Sequence, residues 1–478
     1  MNAIVVGAGL DGLSAAVRLA AGGVQVQLLC PDEAVGAELK PIVPAQDHHG
    51  QNQRLDFAAG PQWLTLPFVL LDLFAAAGRD VRDYLAISRL EPVARYRWPD
   101  GRRFDLSSDD STLIRQIGQF AGPSTGAQDA RGWLEVLERG RRVWQAAEPL
   151  LTRPAEQFLH DTRHAGLLAM TGALTLPFRI GLLERYERLV NRHVRHPALR
   201  QVLHHRLRLA GADPRRAPGM LAVLVWIEHY FGCWQVIGGV SHLARQLELL
   251  ARQLDVTIHL QAPIERIITC DTRGRRCVCG VSLRDRTELS AQAIILAQGA
   301  SQATPTAPSR DRGSPAMLLR VNGIYDELAN VNYLLAAQRE VCVYASTCGD
   351  PATSPPACQS LLVSWRPATS PQELIDELEH RWGLTDLRRR IVMQQTAALH
   401  EDRAICNDLS CWLSSPPRRD REVRGLYHSG GQLPFISGLA GAVLSGVRIA
   451  ECLMQDHAQR NAGATHRCDN PVGLGARI

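Results

Sequence analysis

Hydrophobic positions open the chain as an unbroken run, Ile4-Val5-Val6, and recur at helical spacing from Leu13 to Ala21. They return as a second run across Val24-Gln25-Val26-Gln27-Leu28-Leu29. The pattern predicts strand, helix, strand, with Gly22-Gly23 ending the helix. Leu66-Pro67-Phe68-Val69-Leu70-Leu71-Asp72-Leu73-Phe74 has the spacing of an amphipathic helix. Arg95-Tyr96-Arg97-Trp98 and Arg103-Phe104-Asp105-Leu106 flank Pro99-Asp100-Gly101, which predicts a hairpin. Residues 110–230 are mostly helical in pattern, and Trp234 to Val240 forms a glycine turn before a helix over Ser241 to Leu254. Strands are expected at Val256–Leu260, Ile264–Ile267, Cys277–Leu283 and Ala293–Ala297. Residues 41–55 and the Ser/Thr/Pro-rich 301–313 read as loop and linker. Strands that return after a long helical excursion predict an α/β nucleotide domain interrupted by a second domain.

The first turn carries chemistry. Gly7-Ala8-Gly9-Leu10-Asp11-Gly12 lies between the first strand and the first helix. In such a turn Gly7 permits the tight bend, Gly9 lets backbone approach a pyrophosphate, and Gly12 lets helix pack on strand. The helix N-terminus beyond it offers N–H groups and a positive dipole end to phosphate. An acidic residue should end the second strand and accept hydrogen bonds from a ribose, yet Cys30 occupies that position. A thiol accepts poorly, so the contact is lost unless Asp32 or Glu33 reaches back. Its loss would weaken binding by about 1.5–3 kcal/mol.

Composition narrows the rest. The chain has 478 residues, 45% hydrophobic and 21% charged, as expected of a globular chain of two or three domains. Net charge is +5 and Lys40 is the sole lysine, so the positive charge is arginine spread along the chain, which is no nucleic-acid footprint. Twelve cysteines, Cys277 and Cys279 among them, form no CxxC pair and are expected to be reduced thiols. No signal peptide is expected at the N-terminus. Gly425 to Val447 lacks charge, but its six glycines and Pro434 argue against a membrane span. Arg192 to Arg216 holds seven arginines and four histidines against Asp213. That stretch reads foremost as a solvated helix face, next as a contact for anionic lipid, and least as a metal site at His204-His205, whose side chains point apart on a helix.

Five stretches carry a family resemblance: GAGLDGLSAAVRLA, DFAAGPQWLTLPFVLLDLFAAAG, LEPVARYRWPDGRRFDLSSD, the block from His196 to Leu247, and LYHSGGQLPFISGLAGAVLSGVRIAECLM. In this order the chain resembles, over nearly its whole length, the carotenoid-desaturase branch (phytoene and hydroxyneurosporene desaturases) of the FAD-dependent amine-oxidase-like superfamily. The resemblance implies an α/β fold in which a Rossmann-like FAD-binding domain is interrupted by a mixed helical and antiparallel-sheet substrate domain. Its FAD-binding parts would be 1–105, 234–300 and 415–455. A helical, membrane-facing part of the substrate domain would span 106–233, its sheet part 301–414, and a flexible tail 456–478. Carried over by position, Gly7, Gly9, Gly12 and Leu13 would hold the pyrophosphate, with Cys30 and Gly36 beside the ribose. Ile264 would present its backbone to adenine, Gly430 and Gly431 would lie along the diphosphate and ribityl chain, and Gly438 would approach the isoalloxazine. Trp63 and Phe435 would line the substrate tunnel; packing in the core is the plainer role for Trp63.

The chain departs from the family at Cys30, at Gly36-Ala37-Glu38 where Gly-Gly-Arg is usual, at Leu433-Pro434-Phe435 and at Gly438-Leu439-Ala440. The implied reaction is desaturation of a carotenoid or related apolar polyene, hydride passing to flavin, with no metal and no catalytic triad. His242 reads as a capping or surface residue. Two other functions stay open: a same-fold flavin oxidoreductase for another apolar or amine substrate, and a cofactor-poor binding or escort protein like the Rab GDP-dissociation inhibitors. A cytoplasmic location, peripheral on the inner membrane face, is the expectation, with no nucleic-acid partner.

Overall fold

The computed structural model describes residues 1–36, 63–152, 184–272, 274–297, 314–336, 340–345, 357–366, 370–399, 419–429, 436 and 438–468. Ile4-Val5-Val6 becomes the centre of a five-stranded parallel sheet. Across it the strands run Leu426–His428, Ala293–Leu296, Asn2–Val6, Gln25–Leu29 and Thr257–His259. Ile4, Val5, Leu28, Leu29, Ile294 and Ile295 are fully buried, as strands covered on both faces require. Because all five are parallel, their C-terminal ends share one edge, the edge where doubly wound sheets place ligands.

Helices Leu10–Ala21, Gly239–Gln253 and Gly438–Cys468 cover this sheet. The first and last of these cross closely. A Cβ on Gly446 would stand 2.0 Å from the Asp11 carbonyl oxygen, so only glycine allows the approach. Farther along, Arg18 pairs with Glu451 at 3.5 Å, and a Cβ on Gly22 would meet the Met454 sulfur at 2.4 Å. The last helix runs to Cys468. Asp456 is held there by Arg419 at 2.6 Å and by the Tyr427 hydroxyl at 2.8 Å.

The interrupting residues form a helical block and a large sheet. The block contains helices Asp110–Thr152, Tyr186–His193, Pro197–Leu209 and Ala222–Tyr230. The sheet has seven strands, in the order Ile391–Leu399, Ser314–Asn322, Cys358–Arg366, Glu340–Ala345, Val331–Leu335, Ala94–Arg97 and Arg103–Leu106. One face puts Leu334, Val341, Val343, Leu361 and Val363 under the Pro371–Trp382 helix. The other puts Tyr96, Val331, Tyr333, Leu335 and Cys342 against the helical block. Arg95 and Arg97 tie the hairpin to the sheet by donating to the Glu327 carbonyl.

Two smaller sheets complete the fold. Trp63–Leu64 and Ile87–Arg89 flank Trp234–Val236. Ile264–Thr272 and Arg275–Leu283 form a hairpin extended by Glu288–Ser290 and Val423–Arg424. Within that hairpin Cys270 and Cys279 are joined in a disulfide. This corrects the all-thiol expectation: the register brings Cys270 opposite Cys277, and the irregularity at Cys279 carries its sulfur across. Cys277 stays free.

Replacing Gly446 with alanine should force the two crossing helices apart and destabilise the protein by about 1–3 kcal/mol. Gly118→Ala, in a helix with open space around the new methyl, should be neutral or stabilising by about 0.5–1 kcal/mol. Urea unfolding of the two variants compares them directly.

Candidate functional site

The glycine turn adopts the geometry its spacing requires. Gly7 has φ of 101°, open to glycine alone, and its N–H donates to the Leu29 carbonyl at 2.8 Å. A Cβ on Gly12 would stand 2.0 Å from the Gly7 carbonyl oxygen and 3.2 Å from Ala297 Cβ. Gly9 begins the helix with no side-chain cap, and Leu13 makes the first intrahelical bond back to the Gly9 carbonyl at 2.9 Å. The N–H groups of the first turn are therefore not satisfied by the helix itself. Bare N–H groups at a sheet's C-terminal edge form a cradle for phosphate.

Cys30 ends the second strand and is 2% exposed. Its thiol donates to the Ala34 carbonyl at 3.4 Å, turning residues 30–36 back toward the glycine turn. Gly36, with φ of 64°, closes that path by donating its N–H to the Ala8 carbonyl at 2.8 Å. On the other side, the Cys30 carbonyl accepts from Ala262 N–H at 2.8 Å, and the Asp32 carbonyl accepts from Gln261 N–H. Gly7, Gly9, Gly12, Leu13, Cys30 and Gly36 are thus one locality. Ile264, two residues past Ala262, is buried with Ile4, Val6 and Leu29.

The C-terminal part arrives at the same edge. Ser429 N–H donates to the Leu296 carbonyl at 2.8 Å, and its hydroxyl lies 3.3 Å from that of Ser445. Gly438, with φ of 67° and open space where a side chain would be, starts the helix that crosses Asp11. Gly430, Gly431 and Phe435 lie outside the described residues. His242 sits over Gly238, whose added Cβ would meet its Cβ at 3.0 Å.

The short strand that carries Trp63 packs on the last helix. The Trp63 ring, only partly buried, faces Tyr344 at 5.9 Å and the Arg206 guanidinium at 5.8 Å. Arg206 belongs to the basic stretch, but it is not on a solvated face. It is 3% exposed, and Glu228 accepts from its Nε at 2.7 Å and meets Nη2 at 2.6 Å. Burial opposes the Arg206 charge, and Glu228 beside it outweighs burial, holding the pKa well above its ordinary value. Next to it His205 is buried edge-on to Tyr333, ring centroids 4.4 Å apart. Burial, with Arg208 and Arg206 close by, pushes the His205 pKa down, so it is neutral. Other arginines of the stretch are engaged as well: Arg192 with Glu184, Arg200 with the Val194 carbonyl, Arg208 with Glu340. The lone acid of the apolar helix Ala222–Tyr230, Glu228, is the sequence signal for a buried cationic partner.

No protein-family profile matches the chain. A 4,4'-diapolycopene oxygenase of Methylomonas is 26% identical over 508 residues, covering 95% of this chain and 98% of that protein. A 4,4'-diaponeurosporene oxygenase of Staphylococcus aureus is 29% identical over 292 residues, 61% of this chain and 54% of that protein. Among solved structures, a RAB GDI of Plasmodium falciparum superposes with a TM-score of 0.59 at 12% identity, over 95% of this chain and 98% of its own. Putrescine oxidase bound to putrescine gives 0.57 at 16% identity, over 95% and 99%. The solved structures speak to the fold, which escort and oxidase proteins share. In sequence the chain is thus similar to two oxygenases named for diapolycopene and diaponeurosporene, and in fold to amine oxidases and a RAB GDI.

Proposed function

We propose that the chain is an FAD-dependent oxidoreductase acting on a long apolar polyene of the carotenoid type. The observation that carries this reading is the convergence of the glycine turn, Cys30, Gly36 and the residues around Ser429 on one edge of the parallel sheet. The residues fit a dinucleotide's diphosphate: Gly12 has no room for a side chain, and the helix after Gly9 is uncapped. Gly7, Gly9, Gly12 and Leu13 would hold it, Ile264 would meet the adenine, and Gly430, Gly431 and Gly438 would follow the flavin end. They do not reproduce the usual ribose contact, because the Cys30 sulfur is a weak hydrogen-bond acceptor where a carboxylate is usual. When bound, FAD supplies a two-electron acceptor for hydrogen removed from carbon.

The chain's own contribution is an apolar, water-excluding path that orients the polyene. Trp63 and Tyr344 would form one wall, and the buried Leu318 and Leu362, clustered with Tyr344 and Met393 on the large sheet, would continue it. A stretched hydrocarbon needs only such a wall, which is why no acid–base pair is required. Two oxidations suit that arrangement, desaturation within the polyene and oxidation at its end. The names of the two oxygenase relatives favour the end. Among the described residues no helix is long and apolar enough to cross a membrane. Delivery of so apolar a substrate calls for peripheral contact with a bilayer. The exposed Leu71 and Tyr230, beside the Phe68–Phe231 pair, offer apolar surface for it.

The protein purified from cells should carry FAD, seen by its absorbance. Co-expression with a pathway making acyclic carotenoid polyenes should convert them to products with a longer chromophore or an oxygenated end. Flavin-free protein together with unchanged pigment would overturn the reading and leave an escort role.

Cys30→Glu should restore an acceptor for the ribose and tighten FAD binding by roughly tenfold or more. Titration of the stripped protein with FAD measures this. An unchanged dissociation constant would show that Cys30 does not face the ribose.

A further inference from the structure

We propose that the hairpin of Ile264–Thr272 and Arg275–Leu283 is a thiol–disulfide exchange centre, in which Cys277 and Cys279 compete for Cys270 and through which the protein reacts with other thiols. The inference stands apart from the polyene reading.

All three sulfurs lie on one face of the hairpin. Cys270 and Cys277 are directly paired across the strands, so their side chains leave the sheet on the same side. Cys279 is the residue left over where the register shifts between Val278 and Gly280, and its bridge to Cys270 puts its sulfur on that side as well. The opposite face is the one that packs: Ile267, Val278 and Val281 join the cluster that holds Ile4 and Leu29. Cys270 is accordingly exposed, and Cys277 and Cys279 are only partly buried.

Distance gives Cys270 two eligible partners within the hairpin. Its Cα is 6.1 Å from that of Cys279. Directly opposed residues of antiparallel strands stand about 4.5–5.5 Å apart at Cα, which is also inside the roughly 4.4–6.8 Å that disulfides span. The bridge is made to Cys279, while Cys277 keeps a free thiol that donates to the Arg275 carbonyl of its own strand at 3.7 Å.

The step between the two arrangements is an isomerisation. Cys277 gives its proton to solvent and its thiolate attacks the Cys270 sulfur. The Cys270–Cys277 bond forms as the Cys270–Cys279 bond breaks, and Cys279 leaves as a thiolate that takes up a proton. No oxidant or reductant is consumed. An external thiol attacking the same exposed sulfur gives a mixed disulfide, which Cys277 or Cys279 resolves in the same way. Cys277 also pairs with Arg424, so the exchange takes place beside the segment that runs into Leu426–His428.

The test maps the bridge. The full-length protein is oxidised with glutathione disulfide, held at mildly alkaline pH, quenched with acid and alkylated with N-ethylmaleimide. Trypsin cuts after Arg276 and Arg284, so Cys277 and Cys279 share one peptide. Fragmentation of that peptide shows which of them carries the alkyl group and which is bridged to Cys270. Both forms should be present, the minor one at roughly a tenth or more of the bridged peptide. Cys279→Ser should still close a bridge, now from Cys270 to Cys277. Alkylation confined to Cys277 in the wild type, a Cys279→Ser protein of unchanged circular dichroism that closes no bridge, or a Cys270 bridged to neither residue overturns the proposal. The polyene reading is untouched by any of these results.

Discussion

The crossing of the Leu10–Ala21 and Gly438–Cys468 helices is the constraint on which the site depends. Backbone meets backbone at Gly446 and Asp11, an approach that any side chain would prevent. Close contact of this kind fixes the spacing of the two elements that bear the glycine turn and Gly438. Interiors are packed too densely for a displacement of an ångström there to be absorbed. The ion pair of Arg18 with Glu451 and the seat of Met454 over Gly22 extend the same alignment down both helices.

Local signals are legible along the chain and distant ones are not. The opening strand, turn, helix and strand depend on neighbours in sequence, and glycine spacing encodes them directly. Cys30 can be placed by counting, but its bond to Ala34 cannot, since that depends on the path of residues 30–36. The strands from Ser314 to Leu399 are expected as a sheet but not individually, because their partners are remote. Ala94–Arg97, for example, pairs with Val331–Leu335.

The basic stretch shows why a rule of thumb fails. Charges in a helix are usually solvated, which on sequence alone puts Arg206 at a surface. Its position is set instead by Glu228, the one acid in an apolar helix that packs alongside. Without Glu228, Arg206 would be an uncompensated buried charge, costing about 3–5 kcal/mol. The disulfide of Cys270 and Cys279 escapes a sequence reading for a similar reason, since strand register, not spacing, brings the two together.

The five-stranded sheet has a consequence for biogenesis. Its central strand, Asn2–Val6, is made long before its outer strand, Leu426–His428. That sheet therefore cannot close until Leu426–His428 has left the ribosome. Until then the apolar flank of Ala293–Leu296 lacks its neighbour, and such an edge invites aggregation. The nascent chain would be most dependent on chaperones in the interval between the emergence of Ala293–Leu296 and that of Leu426–His428.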